Sequence, residues 1–382
     1  MSPGFSRRSF ALGAMAASVM AAPAMARAAA LAGARSGAVS ATDVIGRTVT
    51  LPAPARRIVL AQGRQLNALG FIHPDPVSVL AGWGSDFARQ VPDAFMRYKA
   101  RFPAIANVPV VGDGATPGGF SLERVVALAP DLVLAPRGGA NAGAGHGDLV
   151  ARLEAAGIPV AVVDFFNQPL ADTVPSLRAI GRLTGEEERT ERFISFYEGR
   201  LQRVAGKLAG ARRPRVFMHV HAGGTECCSS PGRGTLNDFI QAAGGDNVAS
   251  ALLPGASGQI SLEQLLVANP DCYVATGGRH LEKSGGLVLG LGVSRAMAEQ
   301  SFARLLATPG IAALGAVSGH RAFGLWHLFN DTPLHVVAIE RLAAWLHPER
   351  CAGLDPAATL AEAAAFSAIP LDGALWIGPE RS

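Results

Sequence analysis

The chain has 382 residues, more than one hydrophobic core usually organises, so two domains of ordinary size are expected. Apolar residues make up 49% and charged residues 17%, with glycine and proline scattered, a globular α/β composition that excludes a disordered chain. The net charge of +4 comes from isolated arginines, with no Lys/Arg block or basic stripe interleaved with aromatics, which excludes a nucleic-acid partner.

At the N-terminus, Ser6-Arg7-Arg8-Ser9-Phe10 precedes a weakly apolar run from Ala11 to Ala24 and then Ala24-Met25-Ala26. Residues 1–30 read as a signal peptide cut among Ala26, Ala28 and Ala30. The run is shorter than the about 20 apolar residues that a membrane-spanning helix needs. Its paired arginines followed by phenylalanine fit the twin-arginine export type. No cysteine follows the run, so a soluble periplasmic protein without a lipid anchor is expected. Export puts Cys227, Cys228, Cys272 and Cys351 where disulfides form. Four cysteines allow three connectivities, and the adjacent pair can bridge each other, pair with the distant two, or stay reduced. At least one disulfide is expected.

Core strands are predicted at Arg57–Ala61, Val77–Leu80, Val108–Val111, Asp131–Ala135 and Val160–Val163, with helices between them, the alternation that wraps a largely parallel sheet. Thr184-Gly-Glu-Glu187 reads as a capping box. It opens a helix in which Phe193, Phe196, Tyr197, Leu201, Val204 and Leu208 recur at helical spacing. From about Glu186 to Leu208 this helix spans roughly 35 Å, long enough to join two lobes. A second first strand follows at Arg215–His219, before a glycine-rich turn.

A shift of 140 positions lays Ser121-Leu122-Glu123 on Ser261-Leu262-Glu263, Pro130-Asp131 on Pro270-Asp271, Ala135 on Ala275 and Gly138 on Gly278, without a gap. Each copy reads as a Ser-capped short helix, a stop before proline, a buried strand and then glycine. The fold class is therefore α/β, two lobes with central, mostly parallel sheets joined by a single long α-helix. The boundaries are 43–183 for the first lobe, 184–210 for the linking helix, 211–365 for the second lobe and 366–382 for a C-terminal tail.

Gly46-Arg47-Thr48-Val49-Thr50-Leu51-Pro52, with Arg56-Arg57-Ile58-Val59 after it, resembles the opening of periplasmic binding proteins for iron siderophores, haem and cobalamin. The run Ser121–Ala135 followed by Arg137-Gly138-Gly139 is similar to the cobalamin-binding member, and Gly244-Gly245-Asp246-Asn247-Val248 to the second lobe's glycine turn. The resemblance covers about Asp43 to Pro348. It implies a rigid pair of lobes with ligand in the cleft, acting as a monomer that delivers cargo to the permease dimer of an ABC importer in the inner membrane. It also implies one surface glutamate per lobe that docks on arginine pockets of the importer, here Glu123 and Glu263.

Ligands of such sheets bind beyond the carboxyl ends of the strands. The candidate contacts are Gln62, Arg64, Trp83 and Arg137 in the first lobe, and His219, His221, Arg279 and Trp326, with His327 beside it, in the second. Arginines on glycine-rich turns suit anionic chelates, and tryptophan supplies a flat apolar wall. An Fe(III) siderophore asks the protein only for charge and shape and is the expected cargo; no resident cofactor is expected. Cobalamin is weakened by Pro136 where that relative has an aromatic. Haem stays open through His219 or His221, since Tyr98, Tyr197 and Tyr273 fall on no obvious cleft loop. Alternation along a strand would put both histidines on one face. With Glu226, Cys227 and Cys228 they form a minor candidate for direct metal binding. Cys227 or Ser229 beside His221 is the enzymatic alternative, but no nucleophile elbow or phosphate loop accompanies it, so a non-enzyme is expected.

Overall fold

In the computed structural model, the described residues are 1, 37–112, 119–138, 146–224 and 227–379. Residues 2–30 of the expected export signal, with Gly139 and Glu226, lie outside them.

Two five-stranded sheets organise the described residues. The first contains β1 (Ile58–Leu60), β2 (Leu80–Gly84), β3 (Val110–Gly112), β4 (Leu132–Pro136) and β5 (Val160–Val163) in the order β3-β2-β1-β4-β5, all parallel. The second contains β6 (Arg215–His219), β7 (Asp246–Asn247), β8 (Cys272–Gly277), β9 (Ala322–Trp326) and β10 (Trp376–Ile377) in the order β7-β6-β8-β9-β10. It is parallel except for β10, which runs antiparallel to β9. Strands β4, β5 and β8 are buried throughout, which is why they read as unbroken apolar runs.

The repeat is visible as structure. Helices α1 (Leu122–Leu128) and α4 (Leu262–Ala268) are each capped by serine, with Ser121 accepting from the Arg124 amide at 3.3 Å and Ser261 from the Gln264 amide at 3.1 Å. Each closes on a left-handed residue, Ala129 at φ 43° and Asn269 at φ 39°. The chain then reverses at Pro130 and Pro270 into a buried strand.

Helix α2 (Pro169–Thr184) precedes the long helix α3 (Glu187–Leu208). The expected capping box is absent: Thr184 is the last residue of α2 and its hydroxyl donates to the Ile180 carbonyl at 2.8 Å. Gly185 makes the left-handed turn between the helices, and α3 starts after Glu186 with no side-chain cap. The buried face of α3 meets both halves of the chain. Phe193 stacks on Phe71, with ring centres 5.0 Å apart, and Tyr197 shares a 2.6 Å hydrogen bond with His335 of helix α5 (His335–Leu346).

Residues 366–379 make more contacts than a tail. The Ala368 amide donates to the Gly70 carbonyl at 2.8 Å, Asp372 pairs with Arg97, and Trp376–Ile377 form the edge of the second sheet. The segment therefore touches the first half while completing the second.

Burial lowers the pKa of His335 to about 3. The unfolded chain takes up that proton near pH 6.5, so the contribution is complete above that pH and is lost as pH falls towards 3. The expected cost is about 1.4 kcal/mol per pH unit for the one histidine. Urea denaturation across this range should show a slope smaller by one proton in His335→Gln; an unchanged slope refutes the assignment.

Candidate functional site

The loops beyond the carboxyl ends of the strands line an open cavity of about 790 Å³. Arg64, Arg89 and Phe166 line it from the first half, and His221, Gln259, His280 and His327 from the second. Two carboxylates shape its first-half wall. Asp86 accepts from the Gly63 amide at 2.7 Å and from Arg64, fixing the turn after β1. Gly63 is required there, because a Cβ would lie 2.3 Å from the Gly84 carbonyl. Asp164, just after β5, accepts from the amides of Phe166, Asn167 and Gln168 at 2.8–2.9 Å and so sets the loop that presents Phe166.

Arg64 is committed to the protein itself. Its guanidinium, almost wholly buried, lies between Asp86 at 3.3 Å and Asp331 of the second half. Burial alone would lower its pKa, but Asp331 and Asp86 raise it above the ordinary value, so the charge is held. Arg137, after β4, similarly pairs with Asp172 and shares a small side cavity with Gln62.

The other expected contacts divide. Trp83 packs against Phe87 and Phe95, with ring centres 5.8 and 5.9 Å away, and Trp326 against Phe329 at 5.4 Å; both are in the core and neither lines the main cavity. Arg279 lies outside it as well, near Glu282 and the Gly292 carbonyl. The two histidines of His219-Val-His221 do not share a face. Strand β6 ends at His219, which bonds through Nδ1 to the Tyr273 hydroxyl at 2.7 Å inside the core. His221 follows the strand in the left-handed conformation, φ 51°, and that break in alternation turns it into the cavity.

Among the described residues, three imidazoles gather on the second-half wall. His221 Nδ1 and His280 Nε2 are 3.0 Å apart, and the His221 and His327 rings lie with centres 3.8 Å apart. His327 is held at both nitrogens, by Thr276 at 3.0 Å and Asn330 at 3.3 Å. Burial lowers the pKa of all three, that of His221 to about 4 with help from His280, so all are neutral at pH 7. When His221 donates from Nδ1 to His280, its Nε2 carries a lone pair for a ligand, with the ring oriented as a metal-binding histidine is by its outer partner. His280 was missed from sequence. Its only signal is its place just beyond β8, next to the Arg279 that was chosen.

Cys227 and Cys228 form a disulfide with each other, whereas Cys272 and Cys351 are buried thiols. The bridge immediately precedes Ser229 and Pro231, which line the cavity. Among the described residues no three His, Cys, Asp or Glu side chains are arranged to hold a bare metal ion. Glu123 and Glu263 are exposed at equivalent points of α1 and α4.

Comparison with known proteins adds four findings. A family model described as periplasmic binding protein matches residues 72–324. The vitamin B12-binding protein of Salmonella typhimurium is 32% identical over 162 residues, 42% of this chain and 56% of that one. The cobalamin-binding protein of Halobacterium salinarum is 33% identical over 174 residues, 44% of each. The chain thus spans about half the length of these curated relatives. Among solved structures, the TroA-like periplasmic binding protein FepB of Veillonella parvula superposes with a TM-score of 0.79 at 27% identity, covering 90% of this chain and all of that one.

Arg64→Ala would leave Asp86 and Asp331 buried without their cation. The expected loss is about 3–5 kcal/mol of unfolding free energy in urea denaturation. A loss below about 1 kcal/mol, the size of an exposed pair, contradicts the described role.

Proposed function

The chain belongs to the periplasmic binding protein family, and on that premise we propose that it captures a metal chelate, an iron siderophore first among these, for delivery to an ABC importer. The family consists of solute binders, so the chelate is cargo rather than a resident cofactor. We read 43–183 and 211–365 as its two lobes, with 184–210 as the helix between them and the second lobe extended by residues 376–377. The export signal in residues 1–30 supports a periplasmic location.

The carrying observation is the cavity itself, walled by both halves and furnished with neutral imidazoles. Arg64 and Arg137 are already paired with aspartates, which reduces what they offer an anionic ligand. Neutral nitrogen donors suit a chelate whose metal keeps a coordination position open. His221 supplies the donor in this reading, with His280 and His327 positioning its ring. A siderophore of fewer than six donor atoms meets that condition, as does a macrocycle with an axial site. The named cobalamin binders among the relatives keep the macrocyclic reading as the second one.

The test is calorimetric titration of the mature protein with ferric siderophores of four and six donor atoms, with haem and cobalamin in parallel. Tryptophan fluorescence is a poorer readout, because Trp83 and Trp326 are in the core. Submicromolar binding of a four-donor chelate is expected, weakened at least about tenfold, ~1.4 kcal/mol, by His221→Ala. Saturable binding of haem or cobalamin alone selects the second reading, and no binding of any chelate overturns both.

A further inference from the structure

The second sheet has another cavity at its opposite end. The main cavity takes in His327, just past the end of β9; a separate one, of about 500 Å³, takes in His320 and Arg321, just before β9 begins. The five residues of the strand lie between them, roughly 16 Å at about 3.3 Å per residue. The walls of this second cavity come from the start of β9, the last turns of α5, the stretch beyond α5 that holds Leu354, and β10.

Among the described residues, the charged side chains that line it are all basic: Arg295, Arg321 and Arg341, with the His320 imidazole beside them. Arg295 is exposed and pairs with Glu299 of its own helix at 2.8 Å, whereas Arg321 and Arg341 are half-buried. Arg321 is bonded to neutral groups. Its Nε donates to the Asp271 carbonyl at 3.1 Å, and its Nε and Nη2 donate to the Cys272 sulfur at 3.2 and 2.8 Å. Burial pushes the pKa of Cys272 up, so that sulfur remains a thiol. The carboxylate of Asp271 accepts from the Arg215 amide instead, at 2.9 Å. Arg321 has thus given up part of its water for a carbonyl and a thiol, neither of which carries a counter-charge.

Aromatic rings set the orientation of Arg341. Its guanidinium lies over Trp345 at 5.3 Å and over Trp376 at 4.9 Å. Trp345 is itself stacked on Phe323, with ring centres 4.6 Å apart and planes 13° from parallel. A guanidinium stacked on ring faces directs its donors outward in the plane of the fork, the geometry that meets a carboxylate. The indoles, with Leu354 and Ile377, make much of the remaining wall apolar.

We propose that this cavity is a second binding site, for a small organic anion whose carboxylate sits between Arg321 and Arg341 and whose apolar body packs against the tryptophan wall. The main cavity is equipped differently: it offers imidazoles, and its Arg64 already lies between two aspartates. The two cavities therefore select different chemistry, and the inference does not depend on which cargo the main one takes.

The test is calorimetric titration of the mature protein with naphthoate, with naphthylmethanol as the uncharged control and acetate as the control without an apolar body. A crystal structure of the naphthoate complex follows. Saturable, sub-millimolar binding of naphthoate is expected, at least about tenfold tighter than either control. Arg321→Gln should weaken it at least about tenfold. Arg341→Gln should do the same, and it leaves the buried bonds of Arg321 in place should the first variant fail to fold. The crystal structure should show the carboxylate between the two guanidiniums. No binding of naphthoate, equal binding of naphthylmethanol, unchanged affinity in Arg341→Gln, or naphthoate found only in the main cavity overturns the proposal.

Discussion

A buried guanidinium between two carboxylates ties the halves of this molecule together at the cavity. Arg64 comes from the turn after the first strand of the first sheet, and Asp331 from the turn after β9 of the second. A buried guanidinium is tolerated only when it is paired and hydrogen-bonded, and Asp86, held by the Gly63 amide, is fixed in place to meet that condition with Asp331. The pairing fixes the separation of the two walls at one point. The C-terminal segment adds further ties, through Gly70 and Arg97, on the way to its edge strand.

That commitment shapes the chemistry. An arginine locked between aspartates contributes less to an anionic ligand than its position suggests, and the same holds for Arg137 beside Asp172. What the cavity offers instead is nitrogen. Burial lowers the pKa of His221, His280 and His327, and the His221 ring is braced by a hydrogen bond to His280 and by the tilted His327 ring beside it, with no metal cage among the described residues. Among the described residues no cluster is arranged to hold a bare ion, so the proposed cargo is one that brings most of its own ligands.

The architecture was legible because it is written in repeated local signals. Serine caps, proline stops and unbroken apolar strands announced α1 with β4 and α4 with β8, and both pairs formed. The site was legible in part: Arg64 and His221 line the cavity, but which way a side chain leaves a strand end depends on one backbone torsion. His221 escaped the alternation rule through a positive φ, and His219 stayed in the core. Trp83 and Trp326 sit at the expected strand ends yet point inward, because nearby phenylalanines give them a better apolar partner than the cavity does. His280 belongs to a 3₁₀ turn with no sequence period of its own. The box expected at Thr184 failed because the same residue serves as the end of the preceding helix.

The central claim is that an imidazole of this protein completes the coordination sphere of its cargo. X-ray absorption at the iron edge tests it, on protein loaded with a ferric chelate of four oxygen donors. The account predicts nitrogen in the first shell of the loaded wild type and its replacement by oxygen in His221→Ala. A first shell of oxygen alone in the wild type would contradict it.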